Sequence, residues 1–152
     1  MKKAAFAAFR RLPSPLRRAA VHAAAPSFTV GAVAVLRRQD GQVAFVDQRH
    51  SYGWALPGGL LHRGETPALA LAREVGEETG IRLDPDVLPV PLAAVAPRVR
   101  RVDVVYVLDI ANDVEMHTED EAEVQRLGWF TLDALPEVTE STLDILRAVR
   151  LQ

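Results

Sequence analysis

The sequence contains no cysteine, and this absence excludes several kinds of site. Without thiols the chain has no disulfide, no thiolate nucleophile and no cysteine-type zinc site. No apolar run approaches the roughly 18 residues that suggest a membrane-spanning helix. We therefore predict a cytoplasmic protein without a membrane span. Its 152 residues suffice for one domain that is stabilised by its own hydrophobic core.

The net charge of −2 conceals an uneven distribution of charge. Residues 1–27 carry six Lys and Arg side chains and no acid, whereas residues 28–152 carry 12 bases and 20 acids. The first segment suggests two short helical pieces, interrupted at Pro13 and Pro15. Three interpretations are open: a secretory signal with a short apolar core, a basic segment that contacts membranes or nucleic acid, or a helical extension. The charge asymmetry favours an extension that packs on its own acidic domain or on a second subunit, as in a homodimer.

Apolar patterning predicts strands that alternate with helices. Residues 28–36 are nearly continuous in apolar character, which is typical of a central strand buried on both faces. The Asp40-Gly41 pair predicts a hairpin to a partner strand at 43–46. Further strands are expected at about 88–95, 102–110 and 125–131, and an amphipathic helix at 139–149.

The most informative stretch runs from Gly59 to Ile81 and predicts a glycine-rich loop followed by a helix of three to four turns. On this helix three acids fall within one arc of about 100°, and four smaller residues lie roughly opposite, on the side that can pack on a sheet. Like charges one turn apart repel, so packing alone does not require these acids. A solvated acidic face is one explanation; the other is a site for Mg²⁺ or Mn²⁺, which takes oxygen ligands. The acids are Glu74, Glu77 and Glu78, and the opposite residues are Ala68, Ala72, Val75 and Thr79.

The same stretch satisfies every specified position of the pattern G-x5-E-x7-R-E-U-x-E-E-x-G-U, where U is aliphatic. The chain therefore resembles the Nudix hydrolases, including the MutT-like and ADP-ribose pyrophosphatase-like members, over roughly residues 28–151. The resemblance implies an α/β/α sandwich with a mixed sheet. It also implies metal-dependent cleavage of a pyrophosphate bond in a nucleoside diphosphate linked to another group. The alternative is a non-catalytic nucleotide-sensing or scaffold module, but such domains usually lose acids that are all present here. The matching residues are Gly59, Glu65, Arg73, Glu74, Val75, Glu77, Glu78, Gly80 and Ile81.

The resemblance also implies roles for individual residues. Mg²⁺ or Mn²⁺ would be held by Glu74, Glu77, Glu78 and the carbonyl of Gly59. Glu65 would orient the ligands or a bound water, and Arg73 would act by pairing with Glu77. The general base would be Glu77, Glu78 or Glu123, and the choice stays open. Glu123 lies six residues before a tryptophan, as in many relatives, with Glu119, Asp120 and Glu121 as alternates.

Four residues are candidates for binding a small nucleotide substrate. Arg49 could hold a phosphate by forked hydrogen bonds, and Arg98 belongs to a group of three arginines that suits an anion. Tyr52 and Trp54 could stack on a base or sugar, although Trp54 could equally pack beneath its loop. His62 replaces a glutamate that many relatives carry. The substrate class stays open among ADP-ribose or another nucleotide sugar, a (d)NTP and a dinucleoside polyphosphate, and no specific nucleic acid is expected.

Overall fold

The protein is represented by a computed structural model, which describes Phe6 and residues 9–149. Lys2, Lys3 and most of the AAFAAF run of the predicted extension lie outside the described residues. Within the described part of the chain, no helix is both long enough and apolar enough to cross a bilayer. In chain order the elements are α1 (Ser14–Ala24), β1 (Thr29–Arg38), β2 (Gln42–Gln48), β3 (Trp54–Ala55), β4 (Gly58–Leu60), α2 (Pro67–Thr79), β5 (Leu92–Ala96), β6 (Arg101–Ile110), β7 (Val124–Thr131) and α3 (Glu140–Val149).

Among the described residues, seven strands form one mixed sheet around β1. Strand β1 runs parallel to β6 and antiparallel to β2 and β4. Strand β5 pairs with β6 on one side, and β3 and β7 pair with β2 on the other. The predicted α/β fold is therefore confirmed.

Strand β1 is buried on both faces, as its composition predicts. Successive side chains of a strand point to opposite faces, and here the two sets enter different cores. Ala32, Ala34 and Leu36 pack in the core that contains the buried side of α2. Val33 and Val35 pack in the core that contains the buried residues of α3. The sheet thus lies between the two helices, in the predicted α/β/α arrangement.

Two details of the strands differ from the sequence predictions. Strand β5 begins at Leu92 rather than near residue 88. Pro89 and Pro91 precede it, and proline has no N–H to donate to a strand ladder. The short strands β3 and β4 were not predicted as strands, because a two-residue and a three-residue segment show no resolvable alternation.

Helix α2 begins and ends at residues suited to those positions. The Thr66 hydroxyl accepts a hydrogen bond from the Leu69 N–H, and proline occupies the first turn. Gly80 ends the helix with φ +73°, the left-handed conformation that glycine adopts readily. The first and last turns of this helix are therefore set locally by its sequence.

The buried side of α2 is only partly the predicted one. Val75 and Thr79 are buried as predicted, but Ala68 and Ala72 are half-buried. The fully buried residues in the first half of the helix are instead Ala70 and Leu71. Leucine removes far more apolar surface from water than alanine does, which favours burial of Leu71 over Ala68 or Ala72, although Leu69 stays 49% exposed.

Helix α1 contains no buried residue. Its apolar side chains Leu16 and Val21 remain 55% and 50% exposed. Residues 14–24 of the predicted extension therefore do not pack on their own domain, which corrects that part of the prediction. Packing against a second subunit stays a prediction, which size-exclusion chromatography of the full chain with and without residues 1–26 would test.

Candidate active site

The three acids of α2 occupy three different environments. The Glu77 side chain is 48% exposed and the Glu74 side chain is 16% exposed. Glu78 is buried, with only 3% of the residue exposed. The sequence pattern placed all three in one acidic arc. The structure instead turns Glu78 toward β4 and β2, where backbone and side-chain donors surround it.

The buried Glu78 carboxyl is held at both oxygens. The Gly58 N–H donates to Oε2 at 2.7 Å, and Gln48 Nε2 donates to Oε1 at 2.6 Å. Burial raises the pKa of Glu78 to about 8, the two hydrogen bonds oppose this increase, and the charges of Glu74 and Glu123 add to it. At neutral pH the isolated chain therefore keeps this carboxyl largely protonated. A bound cation would favour its ionised form.

This raised pKa predicts an unusual pH dependence of stability for the metal-free protein. The folded state binds the Glu78 proton more tightly than the unfolded chain does, so the free energy of unfolding should fall as pH rises from 4.5 toward 8. Melting temperatures measured in EDTA at pH 5.5 and pH 8.5 should therefore be lower at the higher pH. Glu78→Gln should reduce this difference in melting temperature. An equal difference in the variant and the wild type would show that Glu78 is not its source.

Arg73 connects the acids around it. Its Nε and Nη2 donate to the Glu65 carboxylate at 3.0 and 3.1 Å. Its Nη1 lies 2.8 Å from Glu74 Oε1 and 3.3 Å from Glu77 Oε2. The sequence predicted a pairing with Glu77 alone. The guanidinium is in fact shared by three carboxylates, so it fixes their positions relative to one another.

Glu65 is the acid that holds Arg73 in place. Its Oε2 also accepts a hydrogen bond from the His62 N–H at 2.8 Å. The Arg73 hydrogen bonds are the main reason that the pKa of Glu65 is lowered to about 2, and the backbone hydrogen bond contributes further. His62 contributes its backbone to this arrangement, and its residue is exposed. The predicted orienting role of Glu65 stays a prediction, now with Arg73 as the group through which it would act.

Gly59 allows the Glu74 carboxylate to lie directly against the backbone of β4. A Cβ atom on Gly59 would overlap Glu74 Oε1 and would lie only 2.5 Å from Glu74 Cδ. Burial raises the pKa of Glu74, the Arg73 contact opposes this, and Glu77 and Glu123 add to the increase. The predicted ligand Gly59 and the predicted ligand Glu74 are therefore immediate neighbours.

The acidic segment 112–123 is tethered to the C-terminus of α2. The His117 N–H donates to the Thr79 carbonyl at 3.0 Å, and the N–H groups of Glu119 and Asp120 donate to the Glu77 carbonyl at 2.8 and 3.2 Å. These bonds satisfy carbonyls that a helix end otherwise leaves without a partner. The tether brings the end of this segment beside the helix acids.

Among the four candidate acids of this segment, Glu123 lies in the cleft beside Glu74. Its Oε1 is 3.5 Å from His50 Nδ1. Glu119 instead pairs with Arg82, and the Asp120 Oδ1 accepts hydrogen bonds from the N–H groups of Ala122 and Glu123. The choice of Glu123 over its alternates thus agrees with the placement of the side chains.

Glu74 and Glu123 line a cleft of about 400 Å³, whose wall also includes residues of β1, β4, β6 and α3. In the described part of the chain, no three Asp, Glu or His side chains converge closely enough to enclose a metal ion by themselves. Mg²⁺ keeps several waters and shares its coordination shell with substrate phosphates, so a partial set of protein oxygens fits it. Oxygen donors of this kind suit Mg²⁺ and Mn²⁺ rather than softer metals. The ligand assignments of Glu74, Glu77, Glu78 and Gly59 remain predictions.

The four predicted substrate residues do not line this cleft in the described part of the chain. Arg49 Nε donates to the Glu121 carbonyl at 3.2 Å, Tyr52 is 99% exposed, and Arg98 is exposed in the turn before β6. The Trp54 ring packs edge-on against Phe130 at 4.9 Å, because its pairing with β2 directs it into the core. This placement favours a packing role for Trp54, and stacking on a base or sugar stays a prediction.

The cleft contains polar residues that the sequence did not single out. Gln48 and His50 come from the end of β2 and the loop after it, and Arg101 and Asp103 come from β6. Arg101 and Asp103 are two apart in β6, which begins one residue before the predicted strand, and so share one face of it. That spacing was visible, but the sequence did not reveal which of three neighbouring arginines belongs to the strand.

Comparisons with known proteins agree with the geometry. The family model described as NUDIX domain matches residues 27–149. The chain is 33% identical over 116 residues to a CMP-5'-(N-acetyl-N-hydroxy-3-aminopropyl)phosphonate hydrolase from Streptomyces rubellomurinus, an alignment that covers 73% of this chain and 56% of that protein. It is 43% identical over 63 residues to a MutT-like protein from Streptomyces ambofaciens, which covers 41% of each. These matches span less than two thirds of either relative.

A solved structure extends the comparison to the fold. The crystal structure of a MutT NUDIX hydrolase from Burkholderia pseudomallei superposes with a TM-score of 0.66 and 28% sequence identity. The match covers 82% of this chain and 99% of that one. The two proteins therefore share nearly the whole of the smaller fold.

Proposed function

The chain belongs to the Nudix family, and we propose that it is a divalent-metal-dependent hydrolase that cleaves a pyrophosphate bond in a nucleoside diphosphate linked to another group. The observation that carries this proposal is the placement of Glu74 directly against the bare Gly59 backbone, in a cleft that Glu123 also lines. Glu123 contributes to the raised pKa of both Glu74 and Glu78, and Glu74 contributes to that of Glu78. Such an arrangement is unfavourable in an isolated protein and favourable around a cation.

The oxygen donors present are of the kind that suits Mg²⁺ or Mn²⁺, and Glu74, Glu77, Glu78 and the Gly59 carbonyl would hold the ion. When bound, the ion would neutralise the diphosphate and lower the pKa of a bound water. The protein supplies the positioning. Arg73 holds the Glu74 and Glu77 carboxylates, and the Gly58 N–H and Gln48 orient Glu78. Because attack on phosphorus expels a phosphate-containing group, most of the rate enhancement would come from positioning and charge stabilisation.

Glu123 is the acid that we propose as the general base. The Glu78 oxygens are occupied by two donors, and Glu77 is paired with Arg73. Glu123 lines the cleft with its Oε1 at 3.5 Å from His50 Nδ1, and 45% of its side chain is exposed. Glu123→Gln should lower kcat by about 10²- to 10⁴-fold. Glu121→Gln, in the same segment but outside the cleft, serves as the control, and equal activity of both variants would contradict the assignment.

The proposed substrate class is a small nucleotide, such as a nucleotide sugar like ADP-ribose, or a (d)NTP. The cleft volume lies in the range of about 300–1,000 Å³ typical of small-molecule sites. The Streptomyces rubellomurinus relative is named for a substrate in which CMP is joined to a phosphonate, which supports a nucleotide linked to a second group. A cytoplasmic location, where such nucleotides are found, is part of this proposal.

A substrate panel tests the proposed function directly. Nucleotide sugars, (d)NTPs and dinucleoside polyphosphates would be incubated with the full chain and Mg²⁺ or Mn²⁺, and phosphate released by an added phosphatase would be measured. We expect turnover of at least one class, and no turnover in EDTA. If calorimetry found no divalent cation taken up in the presence of nucleotide and no substrate turned over, the chain would instead be a non-catalytic member of the family.

Arg73→Ala should reduce activity less than loss of a ligand would. Removing a residue that orients metal ligands typically lowers metal affinity or activity by about 10- to 100-fold. We therefore expect a higher Mg²⁺ concentration for half-maximal activity. The control is Arg82→Ala, which removes an exposed arginine that pairs with Glu119. An unchanged Mg²⁺ dependence in Arg73→Ala would exclude the proposed positioning role.

A further inference from the structure

The cleft has one permanent cation among its acids. Of the residues that line it in the described part of the chain, Arg101 is the sole Arg or Lys, whereas Glu74, Asp103 and Glu123 are acidic. An anionic substrate entering this cleft meets mostly negative side chains. The position of Arg101 therefore bears directly on where a phosphoryl group can be held.

Arg101 is fixed by a buried partner. Its Nε donates to Asp103 Oδ1 at 2.7 Å, and the Asp103 side chain is only 5% exposed. Within the described residues this is the one hydrogen bond that the Arg101 guanidinium donates, and the side chain is 34% exposed. One edge of the guanidinium is thus occupied, and the Nη groups are left for another acceptor. Arginine is well suited to this, because its planar fork can bind two oxygens of a phosphate at once.

The pair lies beside the proposed metal ligand. Gly31 on β1 is the neighbour of Asp103 on β6 and of Leu60 on β4. A Cβ atom on Gly31 would overlap Asp103 Oδ1 and would lie 2.9 Å from Arg101 Nη2 and 3.2 Å from the Gly59 carbonyl oxygen. The missing side chain therefore leaves one small space that the guanidinium and the Gly59 carbonyl both border.

We propose that Arg101, held by Asp103 over the bare backbone of Gly31, binds a phosphoryl group of the substrate next to the metal site. This inference rests on the proposed function and assigns to Arg101 the phosphate contact that the sequence assigned to Arg49 and Arg98. The part of the substrate that Arg101 binds is the diphosphate rather than the base or the sugar. A guanidinium whose second edge faces a phosphate forms charge-assisted hydrogen bonds, which are stronger than those to neutral hydroxyls.

The test measures binding without turnover. Calorimetry at saturating Mg²⁺ would determine the affinity of the full chain for methylenediphosphonate, a diphosphate analogue with no nucleoside and no hydrolysable link. We expect Arg101→Ala to weaken this affinity by about 10- to 100-fold, and Arg101→Lys to weaken it less. Binding of Mg²⁺ alone should not change. The substrate panel with the wild type separately tests whether the chain is a hydrolase. A failure of the proposed function can therefore be distinguished from a failure of the proposed role of Arg101.

The matched control is Arg37→Ala. Arg37 also forms an arginine–aspartate pair, with Asp109 across β1 and β6, and neither residue lines the cleft. Its loss removes the same charge and should leave the affinity for the analogue within about twofold of the wild type.

The proposal would be overturned if Arg101→Ala and Arg37→Ala bound the analogue equally well, or if the wild type did not bind it. A joint loss of Mg²⁺ binding and thermal stability would also overturn it, because Arg101 would then be structural. Should Arg101→Ala not fold, an unchanged affinity in Arg101→Lys would overturn it.

Discussion

Glu78→Gln should lower turnover by about 10³-fold or more while the protein remains folded. The substitution keeps the shape of the side chain but removes the negative charge that a divalent cation would bind. The amide oxygen can still accept from Gln48 or from the Gly58 N–H, so the surrounding loop should keep its position. The same loss is expected for Glu77→Gln, although that side chain is much more exposed.

Steady-state rates on the best substrate of the panel, together with melting temperatures, would check this prediction. Glu121→Gln provides the control, because it removes one acid from the same protein without altering the cleft. Near wild-type rates in both Glu77→Gln and Glu78→Gln would show that the site assignment is wrong. We also expect Glu78→Gln to be more stable than the wild type in EDTA above pH 8, since it removes an ionised carboxylate from a buried position.

Gly58→Ala should destabilise the fold strongly. Gly58 has φ +141°, a conformation that residues with a Cβ rarely adopt. A Cβ atom there would overlap the Ala32 carbonyl oxygen and would lie 2.7 Å from Val33 Cα. Both are backbone atoms of the central strand, which cannot move without disturbing both cores. We expect the free energy of unfolding to fall by about 3 kcal/mol or more, with loss of the hydrogen bond to Glu78.

Gly41→Ala is the matched control for this prediction. Gly41 also has a positive φ, +84°, but a Cβ atom there would meet no atom within 4 Å. The free energy of unfolding of Gly41→Ala should therefore fall by only about 1–2 kcal/mol, which is the cost of placing a residue with a side chain in the left-handed conformation. Urea unfolding of the two variants would separate the cost of atomic overlap, which only Gly58→Ala has, from the cost of backbone strain, which both variants have. Equal destabilisation would mean that the approach of β4 to β1 does not restrict position 58.

The family and the α/β fold could be predicted because their signals are local. The boundaries of α2 follow from Thr66, Pro67 and Gly80, and the continuous apolar character of β1 follows from its burial on both faces. Glu77 was expected to pair with Arg73 one turn earlier, and their contact agrees with that spacing. Each of these features depends on neighbours within about one helical turn.

The rest depended on contacts between distant segments. Glu78 differs from Glu77 because Gly58 and Gln48, 20 and 30 residues earlier, donate to it. Helical periodicity carries no information about those donors. Arg101 differs from Arg98 because β6 pairs in parallel register with β1, and that register is not encoded in the arginine cluster itself. Trp54 is placed in the core by its pairing with β2, a two-residue contact too short to predict.

The tether between the acidic segment and helix α2 also determines where the chain can change in length. His117, Glu119 and Asp120 are anchored to the helix carbonyls, and a tight turn leads from Asp120 to Val124. An insertion before residue 117 lies upstream of these anchors and leaves the position of Glu123 unchanged. A single residue added between Asp120 and Glu123 would shift that carboxylate relative to Glu74. Variation in loop length among related chains is therefore expected ahead of the anchors and not behind them.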